Sequence, residues 1–168
     1  SADGSVQWTV ETGDHIYSSP ALVENSDGDV VQIIVGSTDG ILYSVHPDGS
    51  VAWELDTGAP IRSSPVVGRD ADGNWIAYVG NAGGHVIAVD TATGTRRWAY
   101  DTTSDQPELA TRNQLNSSPA LTKDGVVIGS QDGVIWFVPY DFCLRPGTPD
   151  RRCVPESSEL PADGTFVY

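Results

Sequence analysis

Methionine is absent from this sequence, cysteine occurs twice, and cations are scarce: nine Lys and Arg stand against 23 Asp and Glu, for a formal charge of −14. Without methionine there is no Met-rich groove for promiscuous partners. The acidic balance argues against DNA, RNA or an anionic membrane surface, each of which would be repelled. No run approaches the roughly 20 apolar residues of a membrane span, so direct membrane insertion is not expected. No secretory leader is read in the sequence; a mature or trimmed chain would lack one, so little follows from this. The two cysteines lie in "CLRPGTPDRRC" (Cys143 and Cys153), with no zinc spacing and no histidine nearby. A disulfide across this Pro- and Gly-rich loop is favoured over free thiols, and would place the protein outside a reducing cytoplasm.

What is abundant is turn chemistry. The chain holds 18 glycines and 11 prolines, and its phrases recur. Trp8, Trp53 and Trp98 stand 45 residues apart and close "DGSVQW", "DGSVAW" and "TGTRRW". "IYSSPALV", "IRSSPVVG" and "LNSSPALT" follow the same beat. Pro20 and Pro65 are 45 residues apart, and Pro65 and Pro119 are 54 apart because of a polar insertion within 101–114. A third phrase returns as "IIVGSTDGILYSV", "AYVGNAGGHVIAV" and "VVIGSQDGVIWFV". Each unit reads as four short strands punctuated by Asp-Gly turns, and no stretch reads as helix. Four antiparallel strands per repeat of about 45 residues predict an all-β chain of β-propeller blades. The expected blades cover about 11–55, 56–100 and 101–168 of a single segment 1–168. An orphan fourth strand leads them at 4–10, and a cysteine-containing loop occupies 141–162. About three blades make a partial propeller. Either further blades of a longer chain complete it, or a second copy closes a six-bladed homodimeric ring by exchanging first strands.

The repeat also sorts candidate sites. Residues shared by every repeat read as structural, and those that differ as functional. The paired serines recur three times, so they are expected to bond inner-strand backbone rather than act as nucleophiles. The residue before each pair differs: Tyr17, Arg62 and Asn116. His15, His46 and His85 have no metal-ligand spacing and are expected at the surface or in turns. "NSDGD" (Asn25, Asp27, Asp29) and "DADGN" (Asp70, Asp72, Asn74) alternate oxygen-bearing side chains as calcium loops do. Their ninth positions hold Ile33 and Tyr78 rather than a carboxylate, which favours plain solvated hairpins over calcium sites.

"VIAVDTATGTRRW" resembles the tryptophan-docking motif of pyrroloquinoline-quinone-type propellers, with Ala88, Asp90, Thr93, Gly94 and Trp98 at the matching positions. "YSVHPDGSVAW" is a weaker copy, and the third repeat replaces the motif with the cysteine loop before resuming as "DGTFVY". The resemblance implies structural roles for Trp8, Trp53 and Trp98. It implies that first strands line a central funnel, with Tyr17, Arg62 and Asn116 in its wall. His15, Gln114 and Gln131 would then lie near its rim. The family holds quinoprotein dehydrogenases and non-enzymatic scaffolds. The dehydrogenases carry a vicinal cysteine pair that this chain lacks, so pyrroloquinoline quinone is not expected. The expectation is a non-catalytic scaffold that binds protein partners in the periplasm, at the cell surface or outside the cell. Arg145, Arg151 and Arg152 form a basic island for an acidic partner. The alternative is a fragment of a quinone-dependent dehydrogenase or a cofactor-binding sensor.

Overall fold

The turn signals place strands where the alternation allows one face to be buried. In the computed structural model, which describes residues 3–104, 114–145 and 152–154, three antiparallel sheets follow one another along the chain. The first runs β1 (Ala21–Glu24), β2 (Val30–Gly36), β3 (Ile41–Val45), β4 (Val51–Asp56) in sequence order. The second repeats that order as β5 (Val66–Arg69), β6 (Trp75–Gly80), β7 (His85–Asp90), β8 (Arg96–Asp101). The third contributes β9 (Ala120–Leu121), β10 (Gly125–Gly129) and β11 (Ile135–Pro139). These are the blades of a partial β-propeller. Residues 105–113 of the polar insertion, Arg151 and the "DGTFVY" segment lie outside the described residues.

Residues 4–10, expected as an orphan strand, pair with no sheet among the described residues. They are held instead by Trp8, whose indole N–H donates to the Pro47 carbonyl at 2.8 Å. The Ser-Ser-Pro stretches also stand outside the ladders, which begin at Ala21, Val66 and Ala120. Proline has no N–H to give a ladder, and the first serine of each pair takes over. Ser18, Ser63 and Ser117 each donate from Oγ to the carbonyl of Gly36, Gly80 or Gly129. Each also accepts from that glycine's N–H at 2.9–3.0 Å. The second serines link blades: Ser19 N–H donates to Ser64 Oγ at 2.8 Å, and Ser64 N–H to Ser118 Oγ at 3.1 Å. The serines are therefore structural.

A single blade cannot bury its own two faces, so the core lies between blades. Alternation along β7 divides the central blade cleanly. Ile87 and Val89 face the first blade with Ile34, Leu42 and Ile61. Val86 and Ala88 face the third with Leu115, Ile128 and Val138. Close approach needs a notch, and glycine provides it. A Cβ on Gly36 would stand 2.3 Å from Ile61 Cγ2, and one on Gly80 2.7 Å from Leu115 Cβ. Ile61 and Leu115 also donate backbone N–H groups to the Ser37 and Asn81 carbonyls of the preceding blade.

The tryptophans join the blades at the outer rim. Trp53 of β4 donates to the Thr91 carbonyl at 2.7 Å and lies on the β7–β8 turn. Asp90 Oδ1 organises that turn by accepting the Ala92 and Thr93 N–H groups. Gly94 (φ +72°) and its counterpart Gly49 (φ +89°) leave room for the indoles. A Cβ there would lie 2.6 Å from Trp53 Cγ and 2.5 Å from Trp8 Cγ respectively.

His85 departs from the surface role expected of it. It opens β7 and is fully buried, because its repeat position points into the interface between blades. His15 and His46 are exposed. Burial, reinforced by the charge of Arg96, pushes the His85 pKa down to about 4.

Two outcomes follow for stability. Gly94→Val combines left-handed strain with a clash against Trp53 and should cost about 2–4 kcal/mol in denaturant titrations, with Trp fluorescence shifting to the red. Gly28→Ala shares the positive φ but meets open space, and should cost only about 1–2 kcal/mol. His85 binds a proton more readily unfolded than folded, so stability should fall as pH drops from about 6.5 towards 4. The full effect is on the order of 3 kcal/mol, and His85→Asn should flatten this part of the stability profile.

Candidate functional site

The residues that vary before the serine pairs fall in two groups. Arg62 Nη1 donates to Gln114 Oε1 at 3.5 Å, and Asn116 Nδ2 donates to the same oxygen at 3.2 Å. Gln131 joins through its backbone N–H, 3.0 Å from the Gln114 carbonyl. Tyr17 stands apart on the first blade, 67% exposed, with its ring stacked on His15 at 6.2 Å. His15 Nδ1 lies 2.5 Å from Asp14 Oδ1. The His15 backbone N–H, and then its ring, hold the Asp14 carboxyl below its usual range.

The acidic turns use their own oxygens. Asn25 Oδ1 accepts the N–H groups of Asp27 and Asp29, both at 2.9 Å. Asp70 Oδ1 accepts those of Asp72 and Asn74 at 3.0 and 2.9 Å. Burial pushes Asp70 up. Hydrogen bonds from Asn74 and Asp72, with the charge of Arg97, outweigh it and hold the carboxyl low. Among the described residues no three His, Cys, Asp or Glu side chains gather to hold a metal ion.

Cys143 and Cys153 form a disulfide with Cα atoms 5.4 Å apart. It joins the 3-10 turn Phe142–Leu144 to β12 (Cys153–Val154). β12 adds to the outer edge of the second blade, with Cys153 opposite Tyr100 and Val154 opposite Ala99. The loop that follows the third blade therefore returns to the second. Of the basic island, Arg145 makes a paired hydrogen bond to Asp141 at 2.9 and 3.1 Å. Arg152 donates to the Tyr100 hydroxyl at 3.2 Å. Both side chains are thus engaged within the chain, and Arg151 lies outside the described residues.

A cleft of about 500 Å³ between the second and third blades was not anticipated from the sequence. Arg69, Arg97 and Lys123 supply cations to it, and Asp70, Asp72 and Asp141 supply acids. Tyr78, Trp98 and Tyr140 supply aromatic surface, with Ile76 and Leu144 beside them. The rings are fixed by mutual packing: Tyr78 lies 6.0 Å from Trp98 and 5.5 Å from Tyr140. Tyr140 donates its hydroxyl to the Thr122 carbonyl at 2.7 Å. Arg97 spans Asp70 and Asp90 at 3.6 and 3.7 Å.

Beside this cleft the third repeat shows, among the described residues, no counterpart of the docking turn. Trp8 and Trp53 each cover a glycine turn on the next blade. Among the described residues no carbonyl accepts the Trp98 N–H, and the chain after β11 departs through Tyr140 and the disulfide instead. The third repeat's departure from the motif is the trace of this difference in the sequence.

Comparison with known proteins agrees with this architecture. The family model described as "Outer membrane protein assembly factor BamB", a PQQ-repeat model, matches residues 1–139. Among solved structures, BamB from Moraxella catarrhalis is similar with a TM-score of 0.58 and 21% identity, over 80% of this chain and 34% of that one. The quinohemoprotein alcohol dehydrogenase ADHIIG from Pseudomonas putida HK5 is similar with a TM-score of 0.55 and 21% identity, over 72% of this chain and 17% of that one. BBS1N, in its complex with ARL6DN, is similar with a TM-score of 0.58 and 10% identity, over 80% and 40% of the respective chains. The chain spans about a third of the length of the Moraxella protein. At these identities the likenesses show the fold alone. A search of curated proteins found no match. The matched repeats cover most of the chain, and the chain belongs to the PQQ-repeat propeller family described by the assembly factor BamB.

Proposed function

We propose that this chain is a non-catalytic, extracytoplasmic propeller scaffold that holds a protein partner at the cleft between its second and third blades. The observation that carries this reading is the lining of that cleft: aromatic rings packed on one another, three cations and three acids around about 500 Å³. Mixed charge with aromatic and aliphatic surface suits an extended polypeptide bearing both polar and apolar side chains. Membership of a family described by an assembly factor supports a protein partner, and the Cys143–Cys153 disulfide supports an oxidising compartment. Among the described residues no helix is long and apolar enough to cross a membrane. The basic island contributes less than its sequence promised, since Asp141 already holds Arg145.

The quinone-dependent alternative fits poorly. The resemblance to quinoprotein dehydrogenases implies adjacent cysteines, whereas here the two are separated by 10 in sequence and their bond ties the third blade to the rim of the second.

Lys123 and Leu144 offer a direct test, because both side chains are exposed at the cleft. Lys123→Glu and Leu144→Asp should leave the thermal midpoint within about 2 °C. Each should weaken a partner captured from an extracytoplasmic extract by about tenfold, or 1.4 kcal/mol. Unchanged affinity in both would remove the cleft from the function. Dye-linked oxidation of alcohols or sugars, assayed with added pyrroloquinoline quinone and calcium, should stay at background. Turnover there would overturn the non-catalytic reading.

A further inference from the structure

Two buried polar side chains line the cleft without a hydrogen bond to any described residue. Four of the five tryptophans give their indole N–H to a group within the chain. Trp8, Trp53 and Trp75 donate to the carbonyls of Pro47, Thr91 and Glu24, and Trp136 to Ser130 Oγ. Trp98 donates to none of the described residues, although it is only 5% exposed. Tyr78 is equally buried, and its hydroxyl too has no hydrogen-bond partner among the described residues. Both side chains line the cleft, with ring centroids 6.0 Å apart. A buried donor left without an acceptor costs about 1–3 kcal/mol. Water can serve both groups in the free protein, and a ligand that displaces it has to replace those bonds.

The charged groups of the cleft divide into engaged and open. Arg69 donates to the Gly73 carbonyl at 2.8 Å and lies 4.3 Å from the Trp75 ring. Asp70 accepts hydrogen bonds on both oxygens from Asp72 and Asn74. Asp141 is held on both oxygens by Arg145. Arg97 is different: its contacts to Asp70 and Asp90, at 3.6 and 3.7 Å, are longer than hydrogen bonds. Lys123 carries an 89% exposed side chain, 3.4 Å from Asp124. Burial above all, with Tyr140 and Asp70 nearby, pushes the Tyr78 pKa up against the pull of Arg97. Its hydroxyl therefore keeps its proton and can donate.

The open groups are thus an indole N–H, a phenol O–H, a guanidinium and an ammonium, with exposed Asp72 as the acid not engaged by the described residues. Clustered donors are complemented by a carboxylate, which accepts only, at about four lone-pair sites. Tyr140 and Leu144 add apolar surface to the same cleft. Resting on the reading of this cleft as a polypeptide site, we propose that it recognises a carboxylate of the partner, from a C-terminus or an Asp or Glu side chain. Trp98, Tyr78 and Arg97 donate to that carboxylate, and Tyr140 and Leu144 pack against the apolar residue beside it. The charge of −14 repels such a partner at a distance. Recognition therefore rests on short-range donors and works where salt screens the repulsion beyond about 8 Å, at about 0.15 M.

The test uses nitrogen-15 spectra of the whole chain, in which Trp98→Phe assigns the Trp98 indole signal among the five tryptophans. Three acetylated Leu- and Phe-containing hexapeptides serve as probes: one with a free C-terminal carboxylate, its C-terminal amide, and an amide with one internal Glu. An acidic probe should shift the Trp98 signal saturably and bind about tenfold more tightly than the plain amide. The tighter of the two acidic probes names the source of the carboxylate. Tyr78→Phe removes one oxygen and should weaken that probe about fivefold without lowering the thermal midpoint. Arg97→Gln should weaken it about tenfold. Four results would overturn the proposal: no Trp98 shift with either acidic probe at about 5 mM, equal affinity for acid and amide, affinity unchanged by Tyr78→Phe, or an equal shift with inorganic phosphate. Each would leave the polypeptide reading of the cleft standing, because that reading is decided by partner capture with the Lys123 and Leu144 variants.

Discussion

The structure depends on one repeated contact: a branched or long aliphatic side chain entering a notch that only glycine leaves open. Ile61 in Gly36 and Leu115 in Gly80 bring adjacent sheets close enough for both faces of the central blade to be dry. A four-stranded sheet of short strands has too little surface to be stable alone. Burial between blades supplies the apolar contact that each sheet lacks. The backbone N–H of the same aliphatic residue donates to the preceding blade, so packing and polar register are set at one point.

The Ser-Ser-Pro stretch solves the problem that this contact creates. The chain enters each blade through a proline, which cannot donate to a ladder. The first serine hydroxyl closes on both polar groups of the notch glycine, and the second reaches the neighbouring blade. A short hydroxyl-bearing side chain is suited to both tasks because it donates and accepts over short range. Recurrence of the triplet therefore marks a joint of the fold.

Function, in this reading, follows from where the joint is incomplete. At the rim, Trp8 and Trp53 seal their interfaces by covering a glycine turn. Trp98 covers no such turn among the described residues, and the disulfide-linked segment that follows β11 returns to β8. Beside it lies the cleft lined by residues of the second and third blades. Binding surfaces on rigid frames commonly arise in this way, where a connection departs from the regular element.

The sequence by itself determined the repeat length, the strand order within each blade, the structural role of the serines and the cysteine pairing, because each depends on local turn chemistry or on spacing along the chain. It could not decide that His85 is buried while His15 is exposed, since that depends on which stretches a neighbouring blade covers. It could not show that Arg145 is held by Asp141, or that Asn25 and Asp70 cap their own turns, because side-chain partners are chosen in three dimensions. Nor could it reveal the cleft. Arg69, Tyr78, Arg97, Lys123 and Tyr140 are scattered over two repeats, and only the packing of the second blade against the third assembles them. Short-range chemistry is written in residue order, whereas a site between blades is made by the distance at which two separate sheets come to rest.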